Sequence, residues 1–290
     1  MDITDIITEF LESTAWRMEA PKIGSTFHIL SVIVLSLIAV AAAVKAASIG
    51  KGGRIRILFV LGLIMLATEI YKQLFYYYVV NGGTYDWWFF PFQLCSVPMY
   101  MCILLPLLHK TDLGKAMLTF MCGFTFVSAV AALIWPEDML RPYAALTWHG
   151  LIWHGILLFI SVMIGLSGMA DLTRKGFMRS VLLFLVLCAI AIMINVLAEP
   201  IAASHPIYPG SVPGTGPAGG TGVITYPNMF YLSPYHASTQ PVIRSIDASF
   251  GRIPAMLAYI IMIIAGAGLA DAMFYKLGCA FRSGDDHQNP

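Results

Sequence analysis

Charge is scarce in this chain. Only 11% of its 290 residues are Asp, Glu, Lys or Arg, against about a quarter in an ordinary soluble domain. Hydrophobic residues make up 58%, and the mean hydropathy is +0.77. A sequence this poor in polar groups has little with which to cover a watery surface, so it reads as an integral membrane protein. Other absences narrow the function. Lys and Arg never cluster into a run, and the formal net charge is +1, so no phosphate-tracking stripe exists and nucleic acid is not expected as a partner. The five cysteines are odd in number and contain no CxxC, which implies no disulfide framework. No two histidines stand four apart, so no metal site is expected, and no GxSxG marks a serine nucleophile. No motif calls for a cofactor.

What is present is a series of apolar stretches. Crossing a hydrocarbon core takes roughly 20 helical residues. Seven stretches approach or exceed that: Ser25 to Val44, Ile55 to Val80, Pro91 to Leu108, Leu113 to Trp135, Ala145 to Leu166, Phe177 to Ala198 and Ile253 to Tyr275. The expected fold is an all-α polytopic bundle of about seven transmembrane helices. The third stretch is short and opens on a proline, and Pro98 and Pro106 are expected to kink it. A kinked helix needs protein around it, which turns Cys95 toward the bundle interior.

Positive charge sets the orientation. Lys45, Lys51, Arg54, Arg56, Lys110, Lys115, Arg174, Lys175, Arg179, Lys276 and Arg282 fall on one side; Arg17, Lys22, Arg141, Arg244 and Arg252 fall on the other. The positive-inside rule puts the N-terminus outside and the C-terminus inside, which fits an odd number of spans. The chain divides into an acidic, amphipathic segment at 1–24, expected to be retained, six helices within 25–198, an external connection at 199–251, a seventh helix at 252–276 and a cytoplasmic tail at 277–290. Within the connection, PGTGPAGGTG reads as flexible. TYPNMFYLSPYH alternates aromatics with turn formers, and it suits either a lid docked over the outer mouth or an interfacial anchor.

Polar residues inside the spans gather at one depth. Glu69, Lys72 and Gln73 lie late in the second span, Gln93, Cys95 and Ser96 early in the third, and His149 and His154 early in the fifth. His28 opens the first span, and Asn195 with Glu199 closes the sixth. All belong to the outer half, and the inner halves are expected to hold almost no ionisable group. Intramembrane polar residues mark functional cavities by default. A cysteine beside a histidine suits nucleophilic catalysis, the imidazole taking the thiol proton and later protonating a leaving group. The five-residue step in WHGLIWH turns its histidines about 140° apart, so only one is expected to face Cys95. His154, deeper and beside Gly155, is the candidate base; His149 is assigned to the mouth. Glu69 and Lys72, three apart, either neutralise each other or leave Glu69 to orient the histidine.

The string PFQLCSVPMY, followed 59 residues on from its cysteine by His154, resembles the YwaF-type family of bacterial integral membrane proteins. FHIL at Phe27 and His28, EIYKQ at Glu69 to Gln73, Asn195, and NMFYLSPY at Asn228 to Tyr235 extend the resemblance over most of the chain. The family more usually carries His where this chain has Gln93, and PGSVPGTGPAGGTG looks like a local insertion. The family includes an animal acyltransferase of ether phospholipids, so the resemblance implies acyl transfer through a thioester on Cys95, with His154 as its partner. It adds Gln73, Asn195, His28 and Asn228 as supporting residues. The expected protein is a phospholipid acyltransferase or acyl hydrolase of the bacterial cytoplasmic membrane, acting on a phospholipid or lysophospholipid, with Gln93 or Ser96 donating to the oxyanion. Its oligomeric state is open. The rival reading is a transporter or lipid-binding protein, in which Glu69, Lys72 and the histidines line a path.

Overall fold

The computed structural model describes residues 2–205 and 225–286, and the described residues are helical with no β-sheet. A short helix, α1 (Ile3–Ser13), precedes α2 (Thr26–Ala47), α3 (Lys51–Leu74), α4 (Val97–Leu108), α5 (Asp112–Ile134), α6 (Ala144–Ser167) and α7 (Arg174–Ser204). Then come α8 (Pro241–Phe250) and α9 (Arg252–Asp286). Five of these, α2, α5, α6, α7 and α9, are long and apolar enough to cross a membrane by themselves. The segment PGTGPAGGTG and the last four residues of the tail lie outside the described residues.

Local chemistry sets the helix ends. Ser25, Thr111 and Thr173 each accept a hydrogen bond from a backbone N–H three residues on, which satisfies a donor that the first helical turn leaves free. At the opposite end α6 stops at Gly168, whose φ of 68° only glycine adopts without strain. The Arg54 guanidinium then donates to the carbonyls of Ala47 and Ser167 at 2.8 and 3.4 Å, capping the C-termini of α2 and α6 together.

The core forms where α6 is enclosed by α2, α5 and α9, with α7 against α5 and α4 against α3. Helix α6 is the most buried of the long helices, whereas α2, α7 and α9 turn rows of Leu, Ile, Val and Met outward. A row such as Ile29, Ile33, Leu37 costs free energy in water and none in a hydrocarbon solvent.

Four readings of the sequence need correction. The second apolar stretch is not one α-helix: after Leu74 the run FYYYVV widens into a π-helix over Phe75–Val80. The third is only twelve helical residues long, and Pro98 does not kink it. It lies in the first turn of α4, where a missing N–H breaks no bond. Residues 93–96 form a tight turn, with the Gln93 carbonyl accepting from the N–H groups of Ser96 and Val97. Cys95 thus stands just ahead of a helix rather than on one. The connection after α7 begins at His205 rather than Glu199, and it contains α8, whose Ile243 and Ile246 pack inward one turn apart.

Gly62 marks the closest approach of α3 and α4: a Cβ there would stand 2.9 Å from Cys102 Cβ and 3.0 Å from the Ile103 nitrogen. Gly52, near the start of α3, has nothing within 4 Å. Gly62→Leu is therefore expected to destabilise the protein by about 1–3 kcal/mol through overpacking. Gly52→Ala should be neutral in the same thermal unfolding measurement in detergent.

Candidate functional site

A cavity of about 230 Å³ opens among α3, the turn before α4, α5, α6 and α9, and Cys95 and His154 both line it. Two contacts arrange them. The Cys95 carbonyl accepts a hydrogen bond of 3.0 Å from Trp153 Nε1, which ties the turn before α4 to the residue preceding His154. His154 Nδ1 lies 2.8 Å from the Gly150 carbonyl. A carbonyl can only accept, so Nδ1 carries the ring hydrogen and Nε2 is left with a lone pair. Lys72 lines the same cavity as Cys95, His149 and His154.

Around this centre the polar layer divides. Glu69, Lys72, Gln93, Ser96 and His149 share the cavity wall with the pair. His149 and His154 both line the cavity that holds Cys95: Leu146, His149, Gly150 and Trp153 form one face of α6, and His154 borders that face with its ring folded back onto Gly150. His149 stacks on Trp153 at 5.4 Å, and its Nε2 is buried without a partner. Among the described residues no hydrogen bond or ion pair joins Glu69 to a histidine. Its Oε1 takes Lys72 Nζ at 2.9 Å and Gln73 Nε2 at 2.7 Å.

Other sequence candidates have structural positions outside the cavity wall. His28 Nε2 meets the Leu133 carbonyl at 2.9 Å and its Nδ1 accepts from Gly24 N, joining α2 to the end of α5. Gln73 also donates to the Phe89 carbonyl. Asn195 brackets Met229, accepting from its N–H at 2.6 Å and donating to its carbonyl at 3.1 Å. Asn228 accepts from Ser233 N and donates to the Ala237 carbonyl. Glu199 pairs with His236 at 2.8 Å, and Tyr226 stacks on that ring.

Gln93 takes a different part from the oxyanion donor expected of it. Its Oε1 accepts from Phe230 N at 2.9 Å and its Nε2 donates to the Asn228 carbonyl at 3.3 Å. Both ends of the amide thus hold the 228–231 segment, where Phe230 and Tyr231 adopt positive φ values of 55° and 53°, a costly conformation for bulky residues. At the N-cap of α4 the Ser96 side chain caps nothing, and its hydroxyl interacts with the Cys95 thiol.

Several residues at the site were not singled out from sequence. Trp153 lies within WHGLIWH and Tyr231 within TYPNMFYLSPYH, strings read for their histidines and as a lid or anchor. Asp138 and Arg141 sit in the α5–α6 connection, and only the position of Arg141 in a charge count drew notice. Burial pushes the Asp138 carboxyl up from its ordinary range, with the Arg141 charge working against that shift. The Tyr231 hydroxyl, likewise raised by burial first, lies 3.3 Å from Asp138 Oδ2. A further carboxylate lies along α9 beyond the cavity. Asp271, eight residues beyond the cavity residue Ile263 and so about 12 Å further along α9, is buried against Gly123 and next to the Cys122 thiol. A single Asp in GLADAMFY gave no periodic signal.

The cavity meets the outer surface at Ala131 and Trp135, both exposed while lining it. Among the described residues no cluster of three His, Cys, Asp or Glu side chains is placed to hold a metal ion.

Compared with known proteins, residues 23–236 match the model of the TMEM164 family, a transmembrane protein family. That is well over half of the chain, which therefore belongs to this family. Neither a curated protein nor a solved structure matches it.

The amide of Gln93 is expected to hold the 228–231 segment in place. Gln93→Leu strands the Phe230 N–H and the Asn228 carbonyl, at about 1–3 kcal/mol for each buried group left unpaired. Hydrogen exchange followed by mass spectrometry should then show faster exchange across 228–236 and unchanged protection in α5 and α6.

Proposed function

We propose that this TMEM164-family protein is a membrane-embedded enzyme that moves acyl chains on phospholipids, with Cys95 as nucleophile and His154 as acid and base. The observation that carries the reading is the shared cavity in which the Cys95 carbonyl is bonded to Trp153, next to a His154 whose Nδ1 is occupied and whose Nε2 is free to take a proton. The resemblance of PFQLCSVPMY and the later histidine to the YwaF-type family, with its ether-phospholipid acyltransferase member, supports the same chemistry.

The steps follow from these groups. His154 Nε2 accepts the Cys95 thiol proton, and the sulfur attacks the carbonyl carbon of an ester. The Ser96 hydroxyl donates to the oxygen as it gains charge. Collapse breaks the carbon–oxygen bond, the departing alkoxide takes the proton from His154, and the acyl group remains on sulfur as a thioester. A second hydroxyl, from a lysophospholipid or water, then gives its proton to His154 and attacks the thioester. The carbon–sulfur bond breaks, and the sulfur recovers the proton. The exposure of Ala131 and Trp135 gives the cavity an opening at the level where lipid would lie.

The reading extends to topology. Helix α3 and the 12-residue α4 complete a set of seven spans with α2, α5, α6, α7 and α9. The eleven positive residues at one end make that end cytoplasmic in a bacterial inner membrane, with the cavity in the outer half. A reporter fused after Pro290 should respond as cytoplasmic and one inserted within 206–224 as external; the reverse result would move the reaction to the other leaflet.

Asp271 is the observation that favours the rival. A buried carboxyl beyond the cavity is what a transport path through the inner half would use. The two readings separate in membranes reconstituted with defined phospholipids. Cys95→Ser and His154→Ala are each expected to lower acyl transfer by at least about a thousandfold, with the double variant little worse than either. The wild type should carry a hydroxylamine-sensitive acyl mass that Cys95→Ser lacks, and Asp271→Asn should retain turnover. Turnover kept in Cys95→Ser but lost in Asp271→Asn would leave the transporter.

A further inference from the structure

We infer that Lys72 and Arg141 form a subsite in the cavity for the phosphate group of the lipid, separate from the acyl-transferring pair and positioning the ester against it. The inference rests on the phospholipid reading above. Two cations converge on one aromatic ring. Lys72 Nζ lies 5.9 Å from the Phe89 centroid and Arg141 Cζ lies 5.2 Å from it, so the charged centres are no more than about 11 Å apart. Both line the cavity that holds Cys95. They come from distant parts of the chain, α3 and the α5–α6 connection, so helical spacing does not account for their meeting.

Each keeps hydrogen-bonding capacity in hand. Lys72 has one carboxylate partner, Glu69, which also accepts from Gln73 and so shares its charge between two donors. Arg141 directs Nε at the Asp138 backbone carbonyl, at 3.0 Å. Its Nη2 stands 3.8 Å from the Asp138 carboxylate, beyond hydrogen-bond range. The two terminal nitrogens of its planar fork are therefore left for the bidentate recognition that phosphate oxygens favour. Lys72 adds a compact second charge. Both side chains are partly buried, at 16% and 28% exposed, so water screens them less than it would at an open surface.

The geometry suits a lipid phosphate. In a glycerophospholipid one glycerol unit separates the phosphate from the acyl esters. A phosphate held at Phe89 would leave an ester to approach Cys95, which lines the same cavity as Lys72. The acyl chains would leave past Ala131, and a free phosphate ester would use the same two cations without that exit. Uniform binding energy from such a remote group sets KM, whereas the part used to align the ester appears in kcat.

The test is binding, read by quenching of the tryptophans that line the cavity, with Cys95→Ser protein in detergent so that nothing is consumed. The probes are a lysophosphatidylcholine, a monoacylglycerol of the same chain and glycerol 3-phosphate. The lysophospholipid is expected to bind at least about tenfold tighter than the monoacylglycerol, as charge-assisted hydrogen bonds imply. Arg141→Gln should remove that difference without weakening monoacylglycerol binding, and Arg141→Lys should restore part of it. The Lys72→Gln change is made together with Glu69→Gln, so that no buried carboxylate is orphaned, and it should act in the same direction. Equal affinity for lysophospholipid and monoacylglycerol, or variants that weaken both alike, would overturn the subsite. Glycerol 3-phosphate binding as tightly as the lysophospholipid would overturn the lipid as the source of the phosphate. The acyl mass on wild-type Cys95 reports separately on the enzyme reading. Its absence beside an intact phosphate effect would overturn that reading alone.

Discussion

Backbone at the mouth of a membrane bundle has no reliable water to satisfy its N–H and C=O groups, and this constraint shapes the whole site. Two stretches of the chain leave helical geometry there, the turn 93–96 and the segment 228–236. Each is stabilised by side chains from elsewhere. Gln93 holds the Phe230 N–H and the Asn228 carbonyl, Asn195 brackets Met229, and Arg252 donates to the carbonyls of Tyr231 and Ser233 while its Nη1 pairs with Asp247 at 2.8 Å. Asn228 closes the segment on itself. The left-handed conformations of Phe230 and Tyr231 persist because these partners over-determine them.

That framework also gives the cavity its chemistry. The segment brings Tyr231 beside Asp138, and the turn brings Cys95 to Trp153. The π-helix adds an aromatic wall, with Tyr76 stacked on Phe89 at 3.9 Å, and two cations lie against that same ring. Cys95, His154 and the two cations thus come from four chain segments that meet only when the bundle is closed. Contacts such as Gly62 against Cys102, remote from the cavity, set how closely α3 carries Lys72 to α4 and its preceding turn.

Legibility followed the range of the underlying interaction. The long apolar helices, their caps at Ser25, Thr111 and Thr173, and the clustering of Glu69, Lys72, Cys95, His149 and His154 at one depth all follow from local composition and from 1.5 Å of rise per residue. Departures from regular helix were less visible. An aromatic run such as FYYYVV suits α and π geometry alike, and whether Pro98 kinks a helix or begins one depends on where that helix starts. Helix α8 was missed although Pro241 stands at its first position, because its ten residues lay within a stretch read as loop. Asp271 was overlooked because one carboxyl in an apolar helix leaves no pattern.

By itself the sequence determined the solvent in which this protein lives, its all-helical class and the residue types available for chemistry, because hydrophobicity and helix periodicity are properties of neighbouring residues. Only the tertiary structure decided which polar groups share a cavity and which are consumed as staples. Gln93, Asn195 and Asn228 looked as eligible for a site as Cys95 and His154, and all lie near the same level. What separates them is whether a partner from a distant segment has already taken their hydrogen bonds. In Gln93 that partner stands 137 residues away, a pairing that no local rule of the chain specifies.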